Sequence, residues 1–298
     1  IYTRERKIDI MVSKWIRGSG SLFGSDYEIE PLKDMWIKFF VNLGKVCYAS
    51  ADKVFSLFEG ARQIQISLGC PEEKTQVIPN GVDIKRYASL RRDHKEGIPP
   101  VVALIGRVTP IKDIKTFVKA MGILAKRMPK VEGWIVGPED EDPLYAQECK
   151  ALAKTLNLED KVKFLGFRRI EEVMPYVGLT TLTSISEGMP MVVLESFACG
   201  VPVVATNVGS CSQLIYGGLN EEDIAIGKAG EVVSVGDVEA LAHAYEKILK
   251  EKDLWESLRS SAIKRVERFY SMEDFLLNYR KVYESFMGAT HGRHINRA

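Results

Sequence analysis

The sequence predicts an α/β protein built on a doubly wound parallel sheet, and two observations carry that expectation. From residue 101 onward, short runs rich in β-branched residues alternate with stretches whose apolar residues recur every three or four positions. That is the pattern of strands buried on both faces and helices packed over them. This alternating part is also about 170 to 190 residues long, the usual size of one such domain. The full 298 residues leave room for roughly one more domain before it.

Taken in order, residues 1 to about 70 read as mostly helical, with a buried face around "MWIKFFVNLGKVCYAS". "DKVFSLF" (52–58) is strand-like, and "EGARQIQISLGC" is a short helix ended near Gly69 and Pro71. "QVIPNGVDIKRY" (76–87) is a strand entering a turn marked by Pro79, Asn80 and Gly81. "RRDHKEGIPP" (91–100), charged and rich in Gly and Pro, is expected to link two domains. The regular part then begins with the strand "VVALI" (101–105) and a helix whose buried face carries Ile114, Phe117, Val118, Met121 and Ala125. "VEGWIVG" (131–137), a helix over "LYAQECKALAKTLNL", "VKFLG" (162–166), a short helix at "RIEEVMPYV" and "TTLTS" (180–184) follow. A helix expected from Pro190 to Cys199, the strands "VPVVAT" (201–206) and "GEVVSV" (230–235), and two C-terminal helices complete the series. The tail "HGRHINRA" reads as a frayed end.

Composition excludes several classes. Lys+Arg 41 against Asp+Glu 40 gives a formal charge of +1, so no general attraction to nucleic acid or acidic membranes is expected. No apolar run approaches the ~20 residues of a membrane span, and no secretory signal opens the chain. The five cysteines, Cys47, Cys70, Cys149, Cys199 and Cys211, are scattered and lack metal-ligand spacing, as reduced thiols of a cytoplasmic protein would be. The four histidines sit in polar or terminal surroundings that suit surface roles. The start, "IYTRERKIDIMV", reads as mid-domain sequence, so an N-terminally truncated first domain is expected.

In a doubly wound fold, ligands bind beyond the carboxyl ends of the strands. Three loops there carry chemistry. In "LIGRVTPIKDIKTF", Gly106 follows a strand directly and lets a ligand approach the backbone. Arg107 and Lys112 project before a helix N-terminus, a combination suited to a diphosphate. On this stretch alone, a solvated Arg and Lys fit equally well, and neither the dinucleotide fingerprint nor the P-loop pattern is present. In "SISEGMPMVVLESFACGVPVVAT", Glu187 lies at a helix N-terminus and Glu195 lies inside an otherwise apolar helix. A carboxylate there needs a partner, which the two hydroxyls of a ribose would supply. The competing reading is a capping Glu187 and a Glu195 paired with an arginine. In "TNVGSCSQLI", Gly209 and Ser210 begin a helix whose amides can face an anion, as at many strand-to-helix turns.

"VIPNGVD", "IGRVTPIKD", "SEGMPMVVLESFACGVPVVAT" and "VGSCSQLI", in this order, resemble the retaining nucleotide-sugar glycosyltransferases of family 4, over about residues 50–285. The narrower stretch "IYTRERKIDI" resembles the Pel exopolysaccharide glycosyltransferase subgroup, for which UDP-glucose is the expected donor. The resemblance implies a GT-B fold: one complete Rossmann-like donor domain (101–270) after a linker (91–100). It also implies the last part of an N-terminal acceptor domain (1–90) and a C-terminal crossover helix and tail (271–298). Arg107 and Lys112 would neutralise the leaving diphosphate, with Glu187 as the third catalytic group on the transferred sugar. Glu195 would bind the ribose. Gly106, Gly188, Met189, Gly209 and Ser210 would lie along the donor, and Phe167 and Arg168 would line the base pocket.

No metal or other cofactor is expected, and the partners implied are a nucleotide sugar, a polysaccharide acceptor and a membrane-associated synthase complex. A glycosidase-like acid and nucleophile pair is disfavoured, because a diphosphate leaving group needs cations more than a proton. Two departures stand out. The acceptor half is expected to be incomplete, which would leave Phe275, Leu276, Tyr279 and Tyr283 of the crossover helix partly exposed. Cys211 and Gln213 also replace the commoner Gly and Pro-Glu pattern. Rival expectations are a nucleotide-sugar 2-epimerase of the same architecture and a truncated nucleotide-binding or scaffold protein.

Overall fold

The computed structural model of the chain describes residues 30–92 and 97–293. The stretch "IYTRERKIDI", the rest of 1–29, part of the expected linker and residues 294–298 lie outside the described residues. The chain forms two compact units, residues 1–79 and 80–298.

In the first unit, α1 (Glu30–Ser50) leads to β1 (Val54–Ser56), α2 (Glu59–Ser67), a 3-10 turn (Glu72–Lys74) and β2 (Thr75–Val77). β1 and β2 pair in parallel. Their small core joins Tyr48, Val54 and Cys70, flanked by Ala51 and Leu68. Along α1, Met35, Phe39, Leu43 and Val46 form an exposed apolar stripe.

The second unit holds α3 (Ile84–Ala88), β3 (Val101–Ile105), α4 (Ile114–Arg127), β4 (Glu132–Val136), α5 (Pro143–Thr155), β5 (Val162–Gly166) and α6 (Ile170–Val173). After these come β6 (Leu179–Leu182), α7 (Met191–Ala198), β7 (Val203–Thr206), α8 (Cys211–Tyr216), α9 (Glu221–Ala225) and β8 (Gly230–Val233). Three helices end the chain: α10 (Val238–Lys250), α11 (Lys252–Phe269) and α12 (Met272–Arg293). The sheet order is β5-β4-β3-β6-β7-β8, and every pairing is parallel. This is the doubly wound Rossmann-like architecture that the alternation predicts. β6 and β7 are buried along their whole length, which explains their lack of polar alternation. The core gathers Val102 and Leu104 of β3, Phe117, Met121 and Leu124 of α4, and Leu241, Tyr245 and Ile248 of α10.

Several boundaries differ from expectation. The units divide after Pro79, and the described part of 91–100 packs within the second unit. Arg91 Nε donates to Ala198 O at 2.9 Å, and its guanidinium pairs with Glu267. Three C-terminal helices stand where two were expected. α10 and α11 meet at the single extended residue Glu251, with no Gly or Pro to mark the break. α9 is an unexpected five-residue helix, too short to show a period. β6 starts and ends earlier than "TTLTS", and the last helix continues through Arg293 into the expected frayed end. On α12, Leu276 and Tyr283 are exposed and Phe275 and Tyr279 half-buried, as the sequence led one to expect.

Candidate functional site

β3 and β6 are neighbours in the sheet, although β4, α5 and β5 intervene in the chain. The loops that follow them therefore leave the sheet side by side where the strand order reverses, the place where such folds form a ligand crevice. The two loops are tied together. Ile185 N donates to Ile111 O at 2.9 Å, and Thr183 Oγ1 donates to Lys112 O and Asp113 O at 2.8 and 3.0 Å. Thr206 Oγ1 adds β7 by donating to Ser184 O at 2.6 Å. Asp113 adopts a left-handed conformation (φ 46°, ψ 53°), and its carboxylate accepts from Thr116 N to cap α4.

Lys112 and Glu187 meet across these loops. Lys112 Nζ is 2.5 Å from Glu187 Oε1, and Ser184 Oγ donates to the same oxygen at 2.7 Å. Both side chains are mostly shielded from water, which makes the pair stronger than a surface one. The lysine stem crosses Gly106, where an added Cβ would lie 3.4 Å from Lys112 Cε. Arg107 Nη1 donates to the carboxylate of Glu141, and both are largely open to solvent. So neither cation is merely solvated: each is balanced by a carboxylate from another loop.

α7 begins at Met191, with Pro190 as its extended N-cap rather than its first helical residue. Val193, Leu194, Phe197 and Ala198 anchor it in the core with no exposure. Its N-terminal end, with a partial positive charge, faces out beside Glu187. Glu195 sits one turn along and remains half-buried. Its partner is not an arginine: Tyr87 Oη donates to Glu195 Oε1 at 3.2 Å. Burial raises the Glu195 carboxyl above its ordinary range, with the tyrosine hydrogen bond opposing the rise. Burial also pushes the Tyr87 phenol up to about 12, so it stays protonated and a donor at neutral pH. The segment before α3 reaches the same loop, since Asn80 N approaches Met189 Sδ at 3.3 Å and Asn80 Nδ2 donates to Met189 O at 3.4 Å.

Because its folded-state pKa is raised, ionised Glu195 opposes folding at neutral pH, and the opposition fades as pH falls through the raised value. Glu195→Gln, which keeps an acceptor for Tyr87, is therefore expected to raise Tm by about 2 °C at neutral pH. The gain should shrink in acid, where the wild-type carboxyl is also neutral. Scanning calorimetry at several pH values checks both features.

Gly209 lies under the Glu187–Gly188 loop with φ +61°, and a Cβ there would come within 2.3 Å of Gly188 O. Only glycine lets the two loops approach this closely. The expectation that Ser210 offers its amide to an anion is corrected here: Ser210 N donates to Gly188 O at 2.9 Å. Its buried hydroxyl has no hydrogen-bond partner. Phe167 and Arg168 follow β5 directly. With Trp134, Lys163 and Tyr176 they line an open groove on the β4–β5 edge that shares no lining residue with the Lys112–Glu187 group. Asn80, Tyr87 and Ser184 are the members of the site that sequence reasoning missed. Among the described residues, no three His, Cys, Asp or Glu come together as a metal site, and no helix is long and apolar enough to cross a membrane. Cys47, Cys70, Cys149 and Cys199 carry free thiols, and burial pushes those of Cys149 and Cys199 up to about 11 and 12.

A doubly wound sheet with cations, a helix end and carboxylates at its switch point defines a Rossmann-like domain built to bind a ligand there. Residues 88–265 match the family model described as glycosyl transferases group 1, and the chain belongs to that family. Residues 1–73 match a domain of unknown function, DUF3492. The amylovoran biosynthesis glycosyltransferase AmsK of Erwinia amylovora is 32% identical over 112 residues, covering 38% of this chain and 26% of that protein. The D-inositol 3-phosphate glycosyltransferase of Actinosynnema mirum is 31% identical over 103 residues, covering 31% of this chain and 25% of that protein. The matches thus span about a quarter of each curated relative's length. Among solved structures, Anabaena HepE in complex with UDP and glucose aligns with a TM-score of 0.68 and 26% identity, covering 84% of this chain and 67% of that one. A glycosyltransferase from Rickettsia africae shares the fold, with a TM-score of 0.71 at 18% identity over 94% of this chain and 81% of that one.

Proposed function

We propose that the chain carries the donor-binding half of a retaining glycosyltransferase that moves glucose from UDP-glucose to a growing exopolysaccharide in the cytoplasm, without a metal. The observation that carries the donor assignment is the Lys112–Glu187 pair at the switch point, with Glu195 one turn into the helix that starts beside it. In this reading the diphosphate takes Lys112, and Arg107 once it leaves Glu141. Glu187, released from Lys112, accepts from hydroxyls of the glucose, and Glu195 accepts from the ribose. Lys112, Arg107 and the N-terminus of α7 then meet the charge that grows on the departing UDP, which is electrostatic stabilisation of the transition state.

The identity of the donor draws support from HepE, seen with UDP and glucose, and the exopolysaccharide role from the amylovoran enzyme of Erwinia. The finer assignment to the Pel subgroup rests on the stretch "IYTRERKIDI". Isothermal titration with UDP tests the site. Glu195→Ala and Lys112→Ala should each weaken binding by about tenfold or more, the loss expected for a charged hydrogen-bonding group. Wild-type affinity in both variants would rule the site out.

A further inference from the structure

Tyr87 lies outside the loops that follow the strands, yet it contacts the half-buried carboxylate of Glu195. It is the penultimate residue of α3, a five-residue helix capped by Asp83, whose side chain accepts from Arg86 N at 3.1 Å. The ring is almost fully buried at 6% exposure and is held on two sides. The Arg86 guanidinium lies 5.1 Å from the ring centroid, and that guanidinium is itself fixed by Glu171 at 2.5 Å. The segment leading to α3 is also anchored. Val82 N donates to Tyr270 O, Met272 N donates to Val82 O, and Asn80 holds Met189. The phenol is thus delivered to Glu195 by a rigid arm rather than by a mobile side chain.

A carboxylate has about four acceptor directions on two oxygens. Tyr87 occupies one of them, on Oε1, and so selects one rotamer of a side chain that has three torsions. We infer that Tyr87 is a positioning residue: its hydroxyl fixes Glu195 so that the remaining acceptor directions, chiefly those on Oε2, meet the vicinal hydroxyls of a ribose. This inference rests on the reading of Glu195 as the ribose-binding group. It adds that discrimination between ribose and a sugar without those hydroxyls depends on a second residue 108 positions away in sequence. A free Glu195 could satisfy itself with water or turn from the ligand, and ordering it would then cost binding energy. The held carboxylate has that ordering done at folding.

The test compares UDP with 2′,3′-dideoxy-UDP, in the full chain, by titration calorimetry. Tyr87→Phe keeps the ring, its burial and its contact with Arg86 while removing the hydroxyl, and its Tm is measured alongside. The expected result is a loss of up to about tenfold in UDP affinity, the upper end of what ordering one freed side chain costs. Affinity for the dideoxy nucleotide should stay within about twofold, so the preference for ribose collapses. Equal weakening of both nucleotides would make Tyr87 a packing residue only and overturn the inference, and so would no change in either. Glu195→Ala, run in parallel, reports on the underlying reading. If it leaves the UDP to dideoxy-UDP ratio intact, Glu195 does not bind ribose and both assignments fall. If it abolishes the ratio while Tyr87→Phe does not, only the role of Tyr87 is lost.

Discussion

Lys112→Ala is expected to lower the proposed transfer of glucose from UDP-glucose on the order of 10²–10³-fold. Two losses add in this variant. The cation proposed to meet the growing charge on the leaving diphosphate is gone. Glu187, still held by Ser184 Oγ at 2.7 Å, is also left as an uncompensated anion in the crevice, where it repels the same phosphates. The double variant Lys112→Ala/Glu187→Gln should therefore bind UDP more tightly than Lys112→Ala alone while remaining slow. Arg107→Ala should cost less than Lys112→Ala, since Arg107 and its partner Glu141 are already largely solvated. Steady-state rates for the four proteins, with UDP titrations beside them, check the order. A Lys112→Ala rate within threefold of wild type would contradict the assignment of this lysine to the phosphates.

Arg265→Ala should destabilise the second unit by about 3–5 kcal/mol, the usual cost of stranding one member of a buried ion pair. Arg265 and Asp223 are both fully buried. The guanidinium Nε donates to Asp223 Oδ1 at 2.7 Å, and its other nitrogens donate to Ile215 O, Asp223 O and Gly227 O at 2.7 to 3.0 Å. Asp223 Oδ2 meanwhile accepts from Gly218 N and Leu219 N at 2.9 and 3.2 Å. One side chain on α11 thus closes the hydrogen bonds of the turn around α9. Removing it leaves a buried carboxylate and three carbonyls to find new partners. Arg265→Met/Asp223→Asn should recover part of the loss, because the amide oxygen can still serve the two backbone donors without a charge. Urea unfolding with an unchanged slope and a lowered midpoint is the expected signature.

How far the sequence disclosed this molecule depends on the range of the interaction. β3 and β5 were legible to the residue, because a run such as "VVALI" between polar turns has few other ways to bury itself. The ordering of strand and helix made the doubly wound sheet legible too, and with it the expectation that loops after β3 and β6 carry the chemistry. Contacts made by side chains far apart in sequence were not legible. Tyr87 reads as one more aromatic residue where a strand enters a turn, and Arg265 as one more charge on a C-terminal helix. Their partners, Glu195 and Asp223, become neighbours only once α3 and α11 are packed. The break between α10 and α11 was hidden for a different reason: "LKEKDLW" contains only good helix formers and a cap-compatible acid, so local preference runs straight through it.

The paired state of Lys112 and Arg107 has a consequence for which anions the protein ignores. A chloride or a single phosphate group must displace a tethered carboxylate to gain one cation, an exchange of like for like that returns little free energy. A diphosphate brings two linked groups, so once the first has displaced one carboxylate the second acts at high effective concentration. On the proposed reading of the site, the resting pairs set a threshold of valency, which the small monovalent anions of any buffer or cell fluid fall below and a nucleoside diphosphate clears.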